Sequence, residues 1–276
     1  MVEQPFKNPT IMQETSHIPG TGQRLIIRIG QSTIALLTIN EQHAVNYEET
    51  EMKGGISVAA NVREWLKAHS QLTDSHDQTD ILLHTPTLLE PYDEFDAADA
   101  DMLYKYTFTG HDRDVVNHHE LSGLHAVAVF GIDKDLHMVM ADHFATCRWF
   151  PVCLPVWQHE GNNKDNRSRK RLHVYLHDGH ADVFSFNGRL FMFSNSFVAT
   201  HAKDVLYYVL NAFTQQGMKA SRDEVVVLGS MANKQWLVQQ LETYVGKVSV
   251  AEVPALLPDA PSLPPMPEDL ILLTSQ

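Results

Sequence analysis

The chain repeats one pattern of alternating hydrophobic residues, and that repeat limits what it can fold into. An apolar alternating stretch opens at Arg24-Leu25-Ile26-Ile27 and ends at Asn40. A second opens at Arg171-Leu172-His173-Val174 and ends at Asn187. The offset is 171 − 24 = 147 residues, and 187 − 40 returns 147 with no gap between. Few identities survive (Arg24/Arg171, Leu25/Leu172, Asn40/Asn187), but hydrophobic character matches at most inward-facing positions. A duplicated unit of this size predicts two similar lobes with a cleft between them, and clefts between lobes are where ligands bind.

The pattern resolves into elements. Arg24–Ile29 alternates, Gly30-Gln31-Ser32 turns, Thr33–Ile39 alternates, Asn40-Glu41-Gln42 turns, and His43–Glu49 reads as a third strand. The second copy runs His173–Leu176, the turn Asp178-Gly179, Asp182–Phe186, the turn Asn187-Gly188, then Leu190–Phe193. Gly, Asn and Asp at these turns supply the positive φ that tight hairpins demand. A helix follows in each copy. Ser57 caps the first, with Val58, Val62, Trp65 and Leu66 at helical spacing; Thr200 caps the second, with Val205, Val209, Leu210 and Phe213 as its stripe. Adding 147 to Val58 and Val62 gives Val205 and Val209, so the register persists. Gly217 stops the second helix.

Unbroken apolar runs follow, Asp80–Leu83 and Glu224–Leu228, as parallel strands buried on both faces should read. Further helices are expected at about Asp96–Tyr106 and Gln235–Val245. The expected fold is α/β, two βββαβα lobes with an interlobe cleft. The boundaries read as an N-terminal arm (1–21), a first lobe with an inserted strand and helix (22–163), a second lobe (164–250) and a proline-rich tail (251–276). The tail has six prolines between Pro254 and Pro267 and reads as a surface strap, with Leu270–Leu273 docking on an edge.

Composition narrows the function classes. Of 276 residues, 43% are hydrophobic and 20% charged, which is ordinary for a folded domain. No run approaches the roughly 18 apolar residues of a membrane span, and the polar start MVEQPFKNPTIMQETSHIPG has no apolar signal core, so a cytoplasmic protein without membrane insertion is expected. The two cysteines, Cys147 and Cys153, read as reduced buried thiols. A net charge of −13 argues against nucleic acid as a partner, because phosphate neutralisation needs clustered Lys and Arg. The acidity concentrates in Glu90–Asp101 and Glu48–Glu51; such runs are solvated surface or docking faces for basic partners. One basic run, Lys164–Arg171, reads as an exposed interlobe connection.

A duplicated βββαβα unit resembles the actin-like ATPase superfamily, of ribonuclease-H-like type, over roughly residues 22–250. The second half, HVYLHDGHADVFSFNGRLFMFSNSF followed by KDVLYYVLNAF and VVVLGS, is similar to a bacterial domain-of-unknown-function family akin to pilus and secretion scaffold proteins of the PilM and GspL type. The resemblance implies a nucleotide cleft in which each lobe's first hairpin wraps phosphates, aspartates at the ends of the first strands hold the metal, and a glycine-ended strand flanks the adenosine. Gly30, Ser32 and Thr33 are compatible with a phosphate turn, but Arg28 stands where the aspartate is expected, and magnesium takes oxygen ligands. Asp178 and Gly179 fall at the second turn, where a plain two-residue Asp-Gly hairpin explains the stretch fully. Gly229 and Ser230 end the strand that resembles the adenosine side.

The expectation is therefore a vestigial cleft with no catalytic residue, metal or cofactor, in a scaffold that binds a peptide segment or protein partner. The alternative is a divergent ATPase or small-molecule kinase that binds ATP with Mg²⁺ through Asp178 or Asp182 and the Gly30–Thr33 turn. The histidines, sixteen in all, are densest at His111–His119 with His125 beyond. That segment lacks apolar periodicity and reads as a loop, in which adjacent His118 and His119 point apart. Ser194-Asn195-Ser196 lacks the glycine elbow of a nucleophilic serine and reads as a strand exit.

Overall fold

The computed structural model describes residues 24–40, 45–72, 79–163, 169–251, 253 and 265–275. The expectations for the N-terminal arm, the Glu41-Gln42 turn, residues 164–168 of the basic run and residues 254–264 of the proline-rich tail lie outside the described residues.

The first lobe runs β1 (Arg24–Ile29), β2 (Thr33–Ile39), β3 (Val45–Glu51), α1 (Val58–Ala68), β4 (Thr79–Leu83), β5 (Thr87–Pro91), α2 (Ala100–Thr107), β6 (Val115–Leu121), β7 (Ala126–Ile132), α3 (Lys134–Ala141), β8 (Cys147–Pro151) and α4 (Cys153–Gly161). The second runs β9 (Arg171–His177), β10 (His180–Asn187), β11 (Leu190–Val198), α5 (Ala202–Gln215), β12 (Glu224–Gly229), α6 (Lys234–Tyr244), β13 (Val248–Val250) and α7 (Glu268–Thr274). Their five-stranded sheets share one order, β3-β2-β1-β4-β8 and β11-β10-β9-β12-β13. In both, the first strand pairs antiparallel with the second and parallel with the fourth. Equivalent backbone bonds recur: the His84 N–H donates to Ile29 O at 2.8 Å, and the Ser230 N–H to Leu176 O at 2.9 Å.

Each copy is longer than the expected βββαβα. A fifth strand and a last helix, β8 with α4 and β13 with α7, complete βββαβαβα in both. The material without a counterpart is β5-α2-β6-β7, three strands ordered β5-β7-β6 with α2 packed on them. The helix expected at Asp96–Tyr106 is α2, inside this insertion; the partner of α6 is α3, which packs on α1 as α6 packs on α5. The His111–His119 segment is not all loop, since β6 takes in His118 and His119. This strand lies at an edge and is only half buried, so it carries no strong alternation. Ser194-Asn195-Ser196 likewise continues β11 as far as Val198.

Local signals explain the ends of elements. Ser57 Oγ accepts the Ala60 N–H at 3.2 Å and caps α1. Thr200 does not cap α5; His201 holds that position without a side-chain bond. The Asp178-Gly179 turn has φ of +45° and +72°, as a two-residue hairpin requires.

Among the described residues, three of the four apolar clusters pack the two sheets, and the fourth lies under α2. Leu25, Ile27 and Ile29 of β1 face α1 and α3, and Leu172, Val174 and Leu176 of β9 face α5 and α6. Between the sheets lies a third cluster shared by both lobes, with Ile26, Leu37 and Leu82 from the first, Tyr175, Phe184 and Leu228 from the second, Trp157 of α4 and Leu270, Leu272 and Leu273 of α7. Alternation along β1 and β9 therefore turns Arg24, Ile26 and Arg28, and Arg171, His173, Tyr175 and His177, toward this interlobe layer. Both cysteines are free thiols, and among the described residues no helix is long and apolar enough to cross a membrane.

Candidate functional site at the interlobe cleft

The cleft centres on Arg28. The β1 pleat points its side chain inward, leaving it 2% exposed. Its Nε donates to Asp269 Oδ1 at 2.8 Å and its Nη2 to Asp269 Oδ2 at 2.7 Å. The same Nη2 reaches Asp178 Oδ2 at 2.7 Å. Asp178 belongs to the hairpin of the other lobe and Asp269 to α7. One guanidinium thus ties β1, the second hairpin and the C-terminal helix together, in the forked geometry that suits carboxylates. Burial opposes the charge on Arg28, but Asp269 and Asp178 outweigh it and hold the pKa well above the ordinary arginine value.

A second layer surrounds this contact. His177 Nε2 bonds Asp182 Oδ2 at 2.8 Å, and His177 Nδ1 lies 3.3 Å from Asp178 Oδ2. Burial disfavours the imidazolium, but the two carboxylates prevail and raise the His177 pKa to about 9. Asp178 is held far below the usual carboxylate range by His177 and Arg28 despite burial, and Asp182 is lowered by His177. His84 packs against the His180 ring at 4.5 Å; burial and its histidine neighbours lower its pKa to about 4. Tyr175 stacks on His177, and its hydroxyl accepts the Asp269 N–H at 3.3 Å.

Backbone approach fixes two glycines. A Cβ on Gly30 would lie 2.8 Å from both Arg28 Nη1 and Asp178 Oδ1, so the two first hairpins meet there with no room for a side chain. Gly229 has φ +76°, and a Cβ would sit 2.0 Å from Leu176 O. Its N–H donates to Glu268 Oε2 at 2.6 Å, while its carbonyl accepts from Lys234 Nζ.

The residues singled out from sequence thus fall into two places. Gly30, Asp178 and Gly179 converge at the hairpin contact; Gly229 and Ser230 stand one strand away, bonded to Leu176 and Glu268. Ser32 and Thr33 serve the strand meander: the Ser32 carbonyl takes the N–H of Met52, just past β3, and the Thr33 carbonyl takes the Gly30 N–H across the first turn. Sequence reasoning missed Tyr175, His177, Glu268 and Asp269. Tyr175 was reachable, since 28 + 147 = 175 pairs it with Arg28. Pro267-Glu268-Asp269 before an apolar run is also a helix-start signal.

The arrangement does not fit magnesium–triphosphate. The cleft centre holds a buried cation where a divalent ion would need carboxylate oxygens, and Asp178, Asp182 and Asp269 are already bonded to Arg28 or His177. Among the described residues no group of three or more His, Cys, Asp or Glu is placed to hold a metal.

Comparison with known proteins agrees with this architecture. A solved structure from Bacteroides thetaiotaomicron VPI-5482, a protein with actin-like ATPase fold and unknown function, aligns with a TM-score of 0.80 at 18% identity, covering 93% of this chain and 96% of that one. A chain of the PilM–PilN type IV pilus biogenesis complex aligns with a TM-score of 0.52 at 10% identity, covering 83% and 88%. No curated protein matches the chain. The fold is that of the actin-like ATPases. The family model described as "Protein of unknown function (DUF3822)" matches residues 13–248, and the chain belongs to that family.

Proposed function

We propose that this protein is a non-catalytic, cytoplasmic member of the actin-like fold that acts as a scaffold for a protein or peptide partner. The observation that carries this reading is Arg28, buried and bonded to Asp178 and Asp269 at the place where nucleotide chemistry calls for a metal-binding carboxylate. The interlobe layer supports it. A core shared by both lobes, the Arg28 cluster and the burial of His173 beside Glu160 of α4, 3.1 Å away, favour a fixed platform over a hinge driven by phosphate hydrolysis. The neighbour of this fold in the PilM–PilN type IV pilus biogenesis complex gives a precedent for the fold holding a protein partner.

Thermal unfolding and isothermal titration against Mg-ATP and Mg-GTP test the reading. The expected result is no binding heat and no rise in melting temperature at millimolar nucleotide. A ligand that prefers the native state must raise that temperature. Micromolar binding with turnover abolished by Asp178→Ala would establish the divergent ATPase or kinase instead.

A further inference from the structure

The insertion β5-α2-β6-β7 has no counterpart in the second lobe, so the doubled frame does not explain it. Its α2 buries Ala100 and Tyr104 against Val127 and Val129 of β7. The opposite side of the helix turns Met102 and Tyr106, one turn apart, into solvent at 66% and 86% exposure. Tyr92, at 44%, is exposed in the turn that leads to α2. Methionine and tyrosine adapt to partner surfaces and are enriched at interfaces.

The turn that leads into α2 and the first turn of the helix are strongly acidic. Asp93, Glu94, Asp96, Asp99 and Asp101 are all exposed. The cation of α2, Lys105, is already paired with Asp101 at 2.8 Å. The acidic turn is a defined structure: the Tyr92 N–H donates to His125 O, the Glu94 N–H to Pro91 O, and the Ala98 N–H to Asp96 Oδ1. Apolar side chains flanked by carboxylates complement an amphipathic helix with an apolar stripe and Lys or Arg at its borders. Charge would steer its approach and the apolar contacts would hold it.

We infer that the outer face of α2, with the turn at 91–99, docks a basic amphipathic helix of a partner protein. The inference rests on the scaffold reading and names its surface and the partner's chemistry.

The test uses the full chain and a fluorescent synthetic Leu/Lys amphipathic helix, with a Leu/Glu helix as counterpart. The basic probe should bind at least about ten-fold more tightly than the acidic one. Met102→Ser with Tyr106→Ser should weaken it about ten-fold, and so should Asp93→Asn, Glu94→Gln, Asp96→Asn and Asp99→Asn together. These positions are exposed, so the melting temperature should stay at the wild-type value. Glu48→Gln, Glu49→Gln and Glu51→Gln on β3 form the control, expected to change affinity less than about two-fold. The inference is overturned if the wild type does not bind the basic probe, if the apolar double variant binds normally, or if the β3 control weakens binding as much as the α2 variants. Those results leave the nucleotide titrations, and the scaffold reading they test, untouched.

Discussion

Arg28 and Tyr175 occupy the same place in the two copies of the unit, and both close on Asp269. The guanidinium grips the carboxylate at 2.7–3.0 Å, and the phenol hydroxyl accepts the backbone N–H at 3.3 Å. One position near the end of each lobe's first strand has thus become a structural clasp on the C-terminal helix. The clasp crosses the lobes again through Asp178.

Removing the guanidinium should therefore be costly. Arg28→Ala leaves Asp269 buried without its cation and Asp178 with His177 alone. Breaking a buried pair in this way costs about 3–5 kcal/mol. Urea denaturation should show that loss as a lower midpoint. Arg28→Lys should recover only part of it, because an ammonium lacks the planar fork that grips Asp269 through two nitrogens while also reaching Asp178. Arg28→Met combined with Asp269→Leu should lie closer to wild type than either single change. A loss below about 1 kcal/mol for Arg28→Ala would place the pair with surface salt bridges and contradict the clasp.

The histidines set a pH profile. The folded His177 pKa of about 9 lies above its unfolded value of about 6.5. Its contribution is fully present below about pH 6.5 and is lost as pH rises through about 9. The gap corresponds to roughly 3 kcal/mol at most. His84 has the opposite sign: its folded value of about 4 lies below the unfolded one, so stability declines as pH falls from about 6.5 toward 4. Melting temperature against pH should peak between these limbs. His177→Gln should flatten the alkaline limb and His84→Gln the acidic one; an unchanged alkaline limb in His177→Gln would exclude the Asp178–His177–Asp182 arrangement.

Gly229 should not tolerate a side chain. Its positive φ and the 2.0 Å approach of Leu176 O mean that Gly229→Ala must push β12 away from β9. The expected cost is about 3 kcal/mol or more, seen as a lower urea midpoint. Gly188→Ala, also at positive φ (+66°) but with nothing within 4 Å of its Cβ, should cost about 1 kcal/mol.

The doubled frame was legible because apolar residues recur along the opening strands of each copy, the parallel strands β4 and β12 read as unbroken apolar runs, and the 147-residue register survives in β1/β9, β2/β10 and α1/α5. β6 was not legible, because a half-exposed edge strand reading VVNHHEL shows no clean alternation. α7 was missed because seven residues are too few for helical periodicity, and Leu270–Leu273 fit a docked strand equally well. Of the cleft, Gly30, Asp178, Gly179 and the anomalous Arg28 could be picked out in sequence. The partner that makes sense of Arg28, Asp269, lies 241 residues away, and no local rule connects them.

The last helix should be indispensable to the fold. Leu270, Leu272 and Leu273 are at most 1% exposed in the shared interlobe core. At about 1.5–3 kcal/mol for each buried side chain, together they account for roughly 5–9 kcal/mol, comparable to the whole stability of a typical domain. Arg24 also donates to the Leu273 and Thr274 carbonyls, and Asp269 anchors Arg28. A chain ending at Pro267 should lose its near-ultraviolet circular dichroism and its cooperative urea transition, whereas Leu273→Ala should keep both at a cost of about 2–5 kcal/mol. Adding a peptide of residues 265–276 to the truncated chain should restore part of the near-ultraviolet signal, because the groove it refills is lined by both sheets and α4. Cooperative, wild-type-like unfolding of the truncated chain alone would show that α7 rests on a frame already complete without it.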